Sequence, residues 1–399
     1  MRGKAWLLFI MVLLLTCITG CTNKRELNEL GIAMGMGIDK VGKKYKVTVQ
    51  LVNPGEISAK TGEGGRSPVN TFEATGTTMF EAIRRLTTES PRKIYFAHLR
   101  MVVIGEDLAT KGIAKVLDFI SRNPEFRPDF YIIISKGKRA ESVLKVMTPI
   151  EKIPAQQIFT KLRTSEKEWA ATGTITLADL IKSLTSKGKK APVVTGIRIQ
   201  GEREKGNLQE SVERIDVPVK LIYTGLAVFN KDKLIGWLDE DQSQGYNYTQ
   251  GKVKSTIEDV AYKKGRVGIE IIEAKKTIHS KVRNGKPEVV IEIQVTGNVS
   301  DIETNDLDLT KSKAIHELEN RVEQNIKRKI EQSIQKAQEE LKVDIFGFGS
   351  TIERDEPKEW EKLERIWLKE FPDLSVQVHV EAKIKQMGTI TNSILEDID

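Results

Sequence analysis

Between Ser312 and Lys342 an apolar side chain recurs every three or four residues: Ile315, Leu318, Val322, Ile326, Ile330, Ile334, Ala337 and Leu341. The mean step is about 3.7 residues, longer than a coiled-coil seam and close to the natural turn of a helix. Such a stripe belongs to one amphipathic helix laid on an apolar surface. The chain supplies that surface itself. Leu374, Val376, Val378, Val380, Ala382 and Ile384 alternate with polar residues, the pattern of a strand with one buried face. The pair predicts a C-terminal antiparallel sheet covered by one long helix over 312–342, within an α+β, multidomain protein of mixed sheets and packed helices. A partner-binding role for the stripe is the alternative, and the matching strand favours the core. On the wet side, Glu317 with Arg321 and Glu323 with Lys327 stand at ion-pairing spacing.

The other end of the chain does not read as fold. Arg2 and Lys4 precede an apolar stretch from Ala5 to Ile18, broken only by Thr16 and Cys17. A helix needs about 20 apolar residues to cross a bilayer, so residues 1–20 read as a signal peptide. Ile18-Thr19-Gly20-Cys21 resembles the bacterial lipobox. The peptidase needs small residues beside the cleaved bond, and the thiol is the nucleophile that takes a diacylglycerol. Cys21 is thus the expected lipidation site, and the chain beyond it is expected to form an extracytoplasmic body. An uncleaved short anchor is the alternative. Cleavage would discard Cys17, the only other cysteine, and lipid would consume Cys21, leaving no thiol for a disulfide or a metal. A diacylglyceryl group supplies the two chains that stable anchoring requires.

With 399 residues the chain is too long for one typical domain. The formal net charge is +7, with acids and bases interspersed, which argues against nucleic acid as a partner and suits an anionic membrane nearby. We divide the sequence into a leader at 1–20, an N-terminal α/β domain at 21–197, a middle β-rich domain at 198–255 and a C-terminal α+β domain at 256–399. Alternation around Met34–Ile38 and Tyr45–Leu51 predicts a hairpin, and the Gly-, Ser- and Pro-rich residues 53–70 a loop. A strand at 72–75, a helix capped by Thr77 or Thr78, a buried strand at 93–105 containing His98, a helix at 106–122, a strand at 129–135 and a short helix at 139–147 come next. Thr174 begins a capped helix and a basic turn. The charged run 198–214 is either a hairpin tip or an interdomain segment. Beyond it come two strands, a polar turn after Leu238, and a long hairpin turning at Asn284-Gly285.

Reactive constellations are missing from the sequence. Gly37 to Lys43 fits the first seven positions of a P-loop, but Lys44 stands where Ser or Thr should hold Mg²⁺, and no helix follows. There is no dinucleotide fingerprint and no nucleophile elbow. His98, His279, His316 and His379 lie far apart and in no metal-ligand spacing. The reading is a non-enzyme without a cofactor.

Six ordered blocks carry a family likeness: "KRELNELGIAMGMGID" shortly after Cys21, "PRKIYFAHLRMVVIGED", "RNPEFRPDFYIIIS", "TGLAVFNKDKLIGWLD", "GKVKS" and "DIFGFG". With them the chain resembles the Ger(x)C spore-germination lipoproteins, the C subunits of nutrient germinant receptors. It departs from the usual family pattern at Thr22-Asn23 and at Gln244–Tyr248. The resemblance implies a three-domain α+β protein, lipid-anchored on the outer face of the spore inner membrane. It implies two polytopic partners, the A and B subunits of the same receptor, and no enzymatic role. Within the family-like block, Gly225, Gly236, Trp237 and Asp239 are the candidate partner-binding residues; core packing is the alternative for Trp237. Gly347 and Gly349 of "DIFGFG" read as a helix stop and tight return. The alternative function is a solute-binding lipoprotein of an importer, which would have two similar lobes around a cleft.

Overall fold

A computed structural model describes residues 30–387, apart from 59–66, 187–189, 209, 211 and 284–285, together with residues 3 and 6. Cys21 and the rest of the leader lie outside the described residues, as do residues 284–285 of the expected hairpin turn.

The first sheet opens with the expected hairpin, β1 (Leu30–Val41) and β2 (Lys44–Val52), paired antiparallel from Val41↔Lys44. The P-loop-like stretch rejected from the sequence runs from the end of β1 into this hairpin's turn, with Gly42 at φ +58°. One helical turn, Pro54–Ser58, and β3 (Val69–Gly76) follow. Thr78 caps α1 (Met79–Arg85) by accepting the Glu81 N–H, so the cap is the second of the two threonines.

The stretch expected as one strand is two. β4 (Lys93–Tyr95) runs parallel to the start of β1, and β5 (Met101–Gly105) runs parallel to its middle. Between them the chain turns, and His98 is exposed there rather than within a strand. The helix after β5 is likewise broken, at Gly112, into α2 (Glu106–Lys111) and α3 (Ala114–Arg122). Gly112 has φ +122°, a conformation a side chain would resist. Next come β6 (Tyr131–Ser135), α4 (Ala140–Leu144), α5 (Pro154–Glu168) and α6 (Leu177–Leu184). Sequence periodicity did not single out α5. α6 carries a capping box between Thr176 and Asp179.

β7 (Val193–Gly201) pairs with β8 (Val219–Asn230), which pairs with β9 (Lys233–Leu238). The sheet runs β3-β2-β1-β5-β6-β7-β8-β9, with β4 beside β1. The division expected between residues 197 and 198 therefore falls inside β7. The charged run is the outer part of a hairpin, and residues up to Leu238 extend the first sheet instead of forming a middle layer. Alternate residues of the central strands enter two cores. Met36, Ile38, Val102, Ile104, Ile132 and Ile134 face one way, toward α1, α2, α3 and α6. Met101, Val103 and Ile133 face α4 and α5. Covering both faces makes these strands near-continuous apolar runs.

Residues 240–250 are a helix, α7 (Glu240–Gln250), where the sequence suggested a polar turn. A second sheet, β10 (Thr256–Tyr262), β11 (Gly265–Arg283), β12 (Lys286–Glu303) and β13 (Ser375–Met387), follows in that order. Its first three strands are antiparallel as expected, but β13 lies parallel to β12. The reason is the connection: the chain returns through α8 (Ser312–Gln335), α9 (Phe348–Asp355), α10 (Pro357–Leu363) and α11 (Trp367–Glu370), long enough for a crossover. Leu318, Val322, Ile326, Ile330, Ile334 and Ala337 are buried against this sheet, so the stripe is core. α8 continues as a π-helical turn, Lys336–Leu341, and stops at Lys342 in the left-handed conformation. The two sheets differ in size and strand order and are not repeats of one lobe.

One of the two expected helix-surface pairs forms, Arg321 to Glu317 at 2.8 Å. Glu323 instead accepts the backbone N–H of Ala382 at 3.0 Å, and Glu319 that of Ile384 at 3.0 Å. Two glutamates one turn apart thus satisfy alternate donors along the outer edge of β13. Lys327 turns to Glu331.

Candidate functional site

Gly225, Gly236, Trp237 and Asp239 do converge, at the corner where β8 and β9 meet α7 and the end of the long helix. Gly225 has φ +51°, and a Cβ there would strike the carbonyl oxygen of Leu238. Gly236 lies under the side chain of Leu341. Trp237 is half-buried; its Nε1 donates to Glu106 Oε1 at 2.9 Å, and Lys136 Nζ stands 4.5 Å from its ring centroid. These three residues thus have work inside the protein. Asp239 is exposed and caps α7 reciprocally with Gln242: its Oδ1 accepts the Gln242 N–H at 2.9 Å, and Gln242 Oε1 accepts the Asp239 N–H at 3.0 Å. Asp239, Glu240 and Asp241 face Glu339 and Glu340 across an acidic cleft of about 580 Å³, with Lys336 between them. Lys336 is held by Glu340, and Asp241 by Arg328 at 3.0 Å.

Behind this rim α7 is buried although its sequence is polar: Ser243, Gln244, Asn247 and Thr249 are closed off from solvent. Such groups are tolerated inside only when bonded. Lys329 Nζ donates to Gln244 Oε1 at 2.7 Å and to Glu258 Oε2 at 2.8 Å. Asn325 Nδ2 donates to the same Glu258 oxygen at 2.7 Å, and Tyr248 OH to the other at 2.9 Å. Burial, with Glu258 beside it, holds the Tyr248 hydroxyl well above its ordinary pKa. Toward the first sheet, Gln244 Nε2 donates to Trp169 O, and Asn247 Nδ2 donates to Ala170 O and Thr172 O. α7 and α8 touch at Gly245, where a Cβ would collide with the Lys329 backbone. The helix is a polar rivet between the two sheets. Its sequence signals were the Asp239-x-x-Gln242 capping pair and Gly251, which closes the helix at φ +65°.

The "DIFGFG" block makes the tight return. Asp344 is fully buried; Oδ1 accepts the N–H groups of Phe346 and Gly347, and Oδ2 those of Gly349 and Trp367 Nε1. Burial lifts its pKa to about 6 against the pull of those donors. Its carbonyl accepts the Ala191 N–H at 2.6 Å, tying the return to the first body.

Among the described residues no group of three or more His, Cys, Asp and Glu side chains is placed to hold a metal. No described helix is long and apolar enough to cross a membrane.

The described residues thus form a two-sheet α+β body joined through a buried polar helix, with a rim of acids at one corner. Residues 23–199 match the spore germination protein N-terminal domain, and residues 224–388 match the spore germination B3/GerAC like, C-terminal domain. The chain belongs to this spore germination family. It is 31% identical to spore germination protein KC of Bacillus subtilis (strain 168), covering 99% of this chain and 98% of that protein. It is 23% identical to spore germination protein B3 of the same organism, covering 96% and 97%. The crystal structure of the GerBC protein shares the fold, with a TM-score of 0.57 and 22% identity over 91% of this chain and 99% of that one.

Proposed function

We propose that this protein is the C subunit of a spore nutrient germinant receptor, a non-catalytic part that acts in receptor assembly and germination signalling. The observation that carries the reading is the end-to-end match to spore germination protein KC, which spans both sheets and the leader. The lipid on Cys21 holds the body on the outer face of the spore inner membrane, where it meets the polytopic A and B subunits. The lipobox-like Ile18-Thr19-Gly20-Cys21 supports the tether. Of the four candidate contact residues, Asp239 opens to solvent on the acidic rim, while Gly225, Gly236 and Trp237 shape the corner behind it. The partner subunits dock at that rim.

The test is nutrient-triggered release of dipicolinic acid from spores carrying Cys21→Ala, beside a deletion strain and a non-nutrient trigger. Loss of the nutrient response with the non-nutrient trigger intact is the expected result. Normal nutrient responses in both strains would refute the role.

A further inference from the structure

A second cleft, of about 510 Å³, opens where the segment leading into β7 meets the second sheet and α9. It is walled by Lys190, which leads into β7, by Lys276 and His279 on β11, and by Arg354 near the end of α9. Ser350 and Gln250 add a hydroxyl and an amide. Among the described residues the one carboxylate in the wall is Asp355, and it is occupied: Arg354 Nε donates to it at 2.7 Å, and the Ser280 N–H at 2.9 Å. The neighbouring carboxylate, Asp344, is fully buried and taken up by the backbone donors of its own loop. Those donors include amides at the start of α9, so the helix end is already satisfied.

Asp355 is therefore taken by Arg354, and the two lysines of the wall share no carboxylate among its described residues. Lys190 Nζ finds a neutral acceptor, Gln250 Oε1 at 2.6 Å. Its methylene stem lies over Gly347, where a Cβ would touch it at 3.4 Å, and the stem of Lys276 lies over Gly251 in the same way. Both glycines leave room that brings the two amines toward one cleft. Burial, helped by the charges of Lys252 and Lys276 and opposed by Asp344, lowers the Lys190 pKa to about 8. Lys276, exposed at its surface but partly screened from water at its stem, has its pKa lowered by that partial desolvation and by Arg354. Of these cations Asp355 answers Arg354 alone, so the charges of the two lysines are left in excess in this wall at a cost in stability, and a multiply charged oxyanion removes that cost with charge-assisted hydrogen bonds.

We propose that the cleft between Lys190, Lys276 and Arg354 binds a small multivalent oxyanion, a phosphate or a dicarboxylate. Bound there, the anion joins the segment entering the first sheet to a strand and a helix of the second. It shares no wall residue with the acidic rim and does not depend on that rim's role.

The experiment is calorimetric titration of the full chain in neutral detergent micelles at low salt, with inorganic phosphate and with malonate as probes. Saturable binding of either probe, weakened at least about tenfold in Lys276→Gln and in Lys190→Gln but unchanged in Lys264→Gln, is the expected result. Lys264 is an exposed control on the turn between β10 and β11. The anion should also raise the melting temperature of the parent chain and not that of Lys276→Gln. Lys276 is exposed, so that variant keeps the test valid should Lys190→Gln not fold. No saturable binding of either probe, or equal binding by parent and Lys276→Gln, would overturn the proposal.

Discussion

Lys329 Nζ lies 2.8 Å from Glu258 Oε2, with side chains only 7% and 0% exposed. The pair fixes the middle of α8 against β10, and through Gln244 and Tyr248 it also holds α7. Two charges taken out of water are tolerated because every member of the group has a partner. Removing one member is the costly change. Glu258→Gln, which leaves the ammonium buried and unpaired, should lower unfolding free energy by about 3–5 kcal/mol in urea titration. Glu258→Met with Lys329→Met should lose much less. Equal losses in the single and double variants would mean that packing, not charge, is at stake.

Asp344 predicts a pH effect of unusual sign. Its folded pKa is raised to about 6 from an ordinary 3.8. The folded protein thus holds a proton that the unfolded chain releases, so this group's contribution falls as pH rises from about 4 to about 6 and is level above that. The size is on the order of 3 kcal/mol. Paired carboxylates such as Glu73 and Asp355, whose pKa values are lowered, contribute in the opposite sense. The signature is therefore a difference between two proteins. Asp344→Asn should be less stable overall, having lost an acceptor, and should lack the parent's loss between pH 4 and 6. Parallel stability–pH curves for the two would contradict it.

The edge of β13 depends on α8. Glu319 and Glu323 accept the N–H groups of Ile384 and Ala382, which would otherwise face outward as an open strand edge. Open edges recruit other chains. Glu319→Ala with Glu323→Ala should therefore raise self-association, read as a concentration-dependent mass increase in light scattering. A monodisperse variant at the parent's mass would show that the edge is protected in some other way.

Charge at the acidic rim can be separated from the structure it caps. Asparagine serves as an N-cap about as well as aspartate, so Asp239→Asn removes charge and keeps the helix start. Combined with Glu240→Gln it should leave the melting temperature nearly unchanged while slowing nutrient-triggered dipicolinic acid release. An unaltered response in spores that contain the variant protein at normal level would remove the rim from the partner surface.

Periodicity revealed the parts of this fold that are periodic. The stripe from Leu318 to Ala337 and the alternation in β13 are apolar patterns set by one buried face, and the structure buries that face. α7 escaped notice because burial there is polar. Gln244 and Asn247 are inside only because Lys329, Trp169, Ala170 and Thr172 wait for them far along the chain. No local window contains those partners. Glu323 shows the same limit on a smaller scale: helix spacing suggested Lys327, and a backbone amide of the neighbouring strand took it instead. The parallel setting of β13 was likewise invisible, since alternation reports a face and not a direction. The corner residues were legible as a group from their block, but which of them faced water was not.

The described fold begins at Leu30 with β1, a strand inside the first sheet with β2 on one side and β4 and β5 on the other. A pull on the N-terminal segment would act along that strand. It would have to shear several rows of backbone bonds at once, rather than peel an edge strand one bond at a time. Built this way, the N-terminal end of the described fold is held on both sides and resists being peeled away.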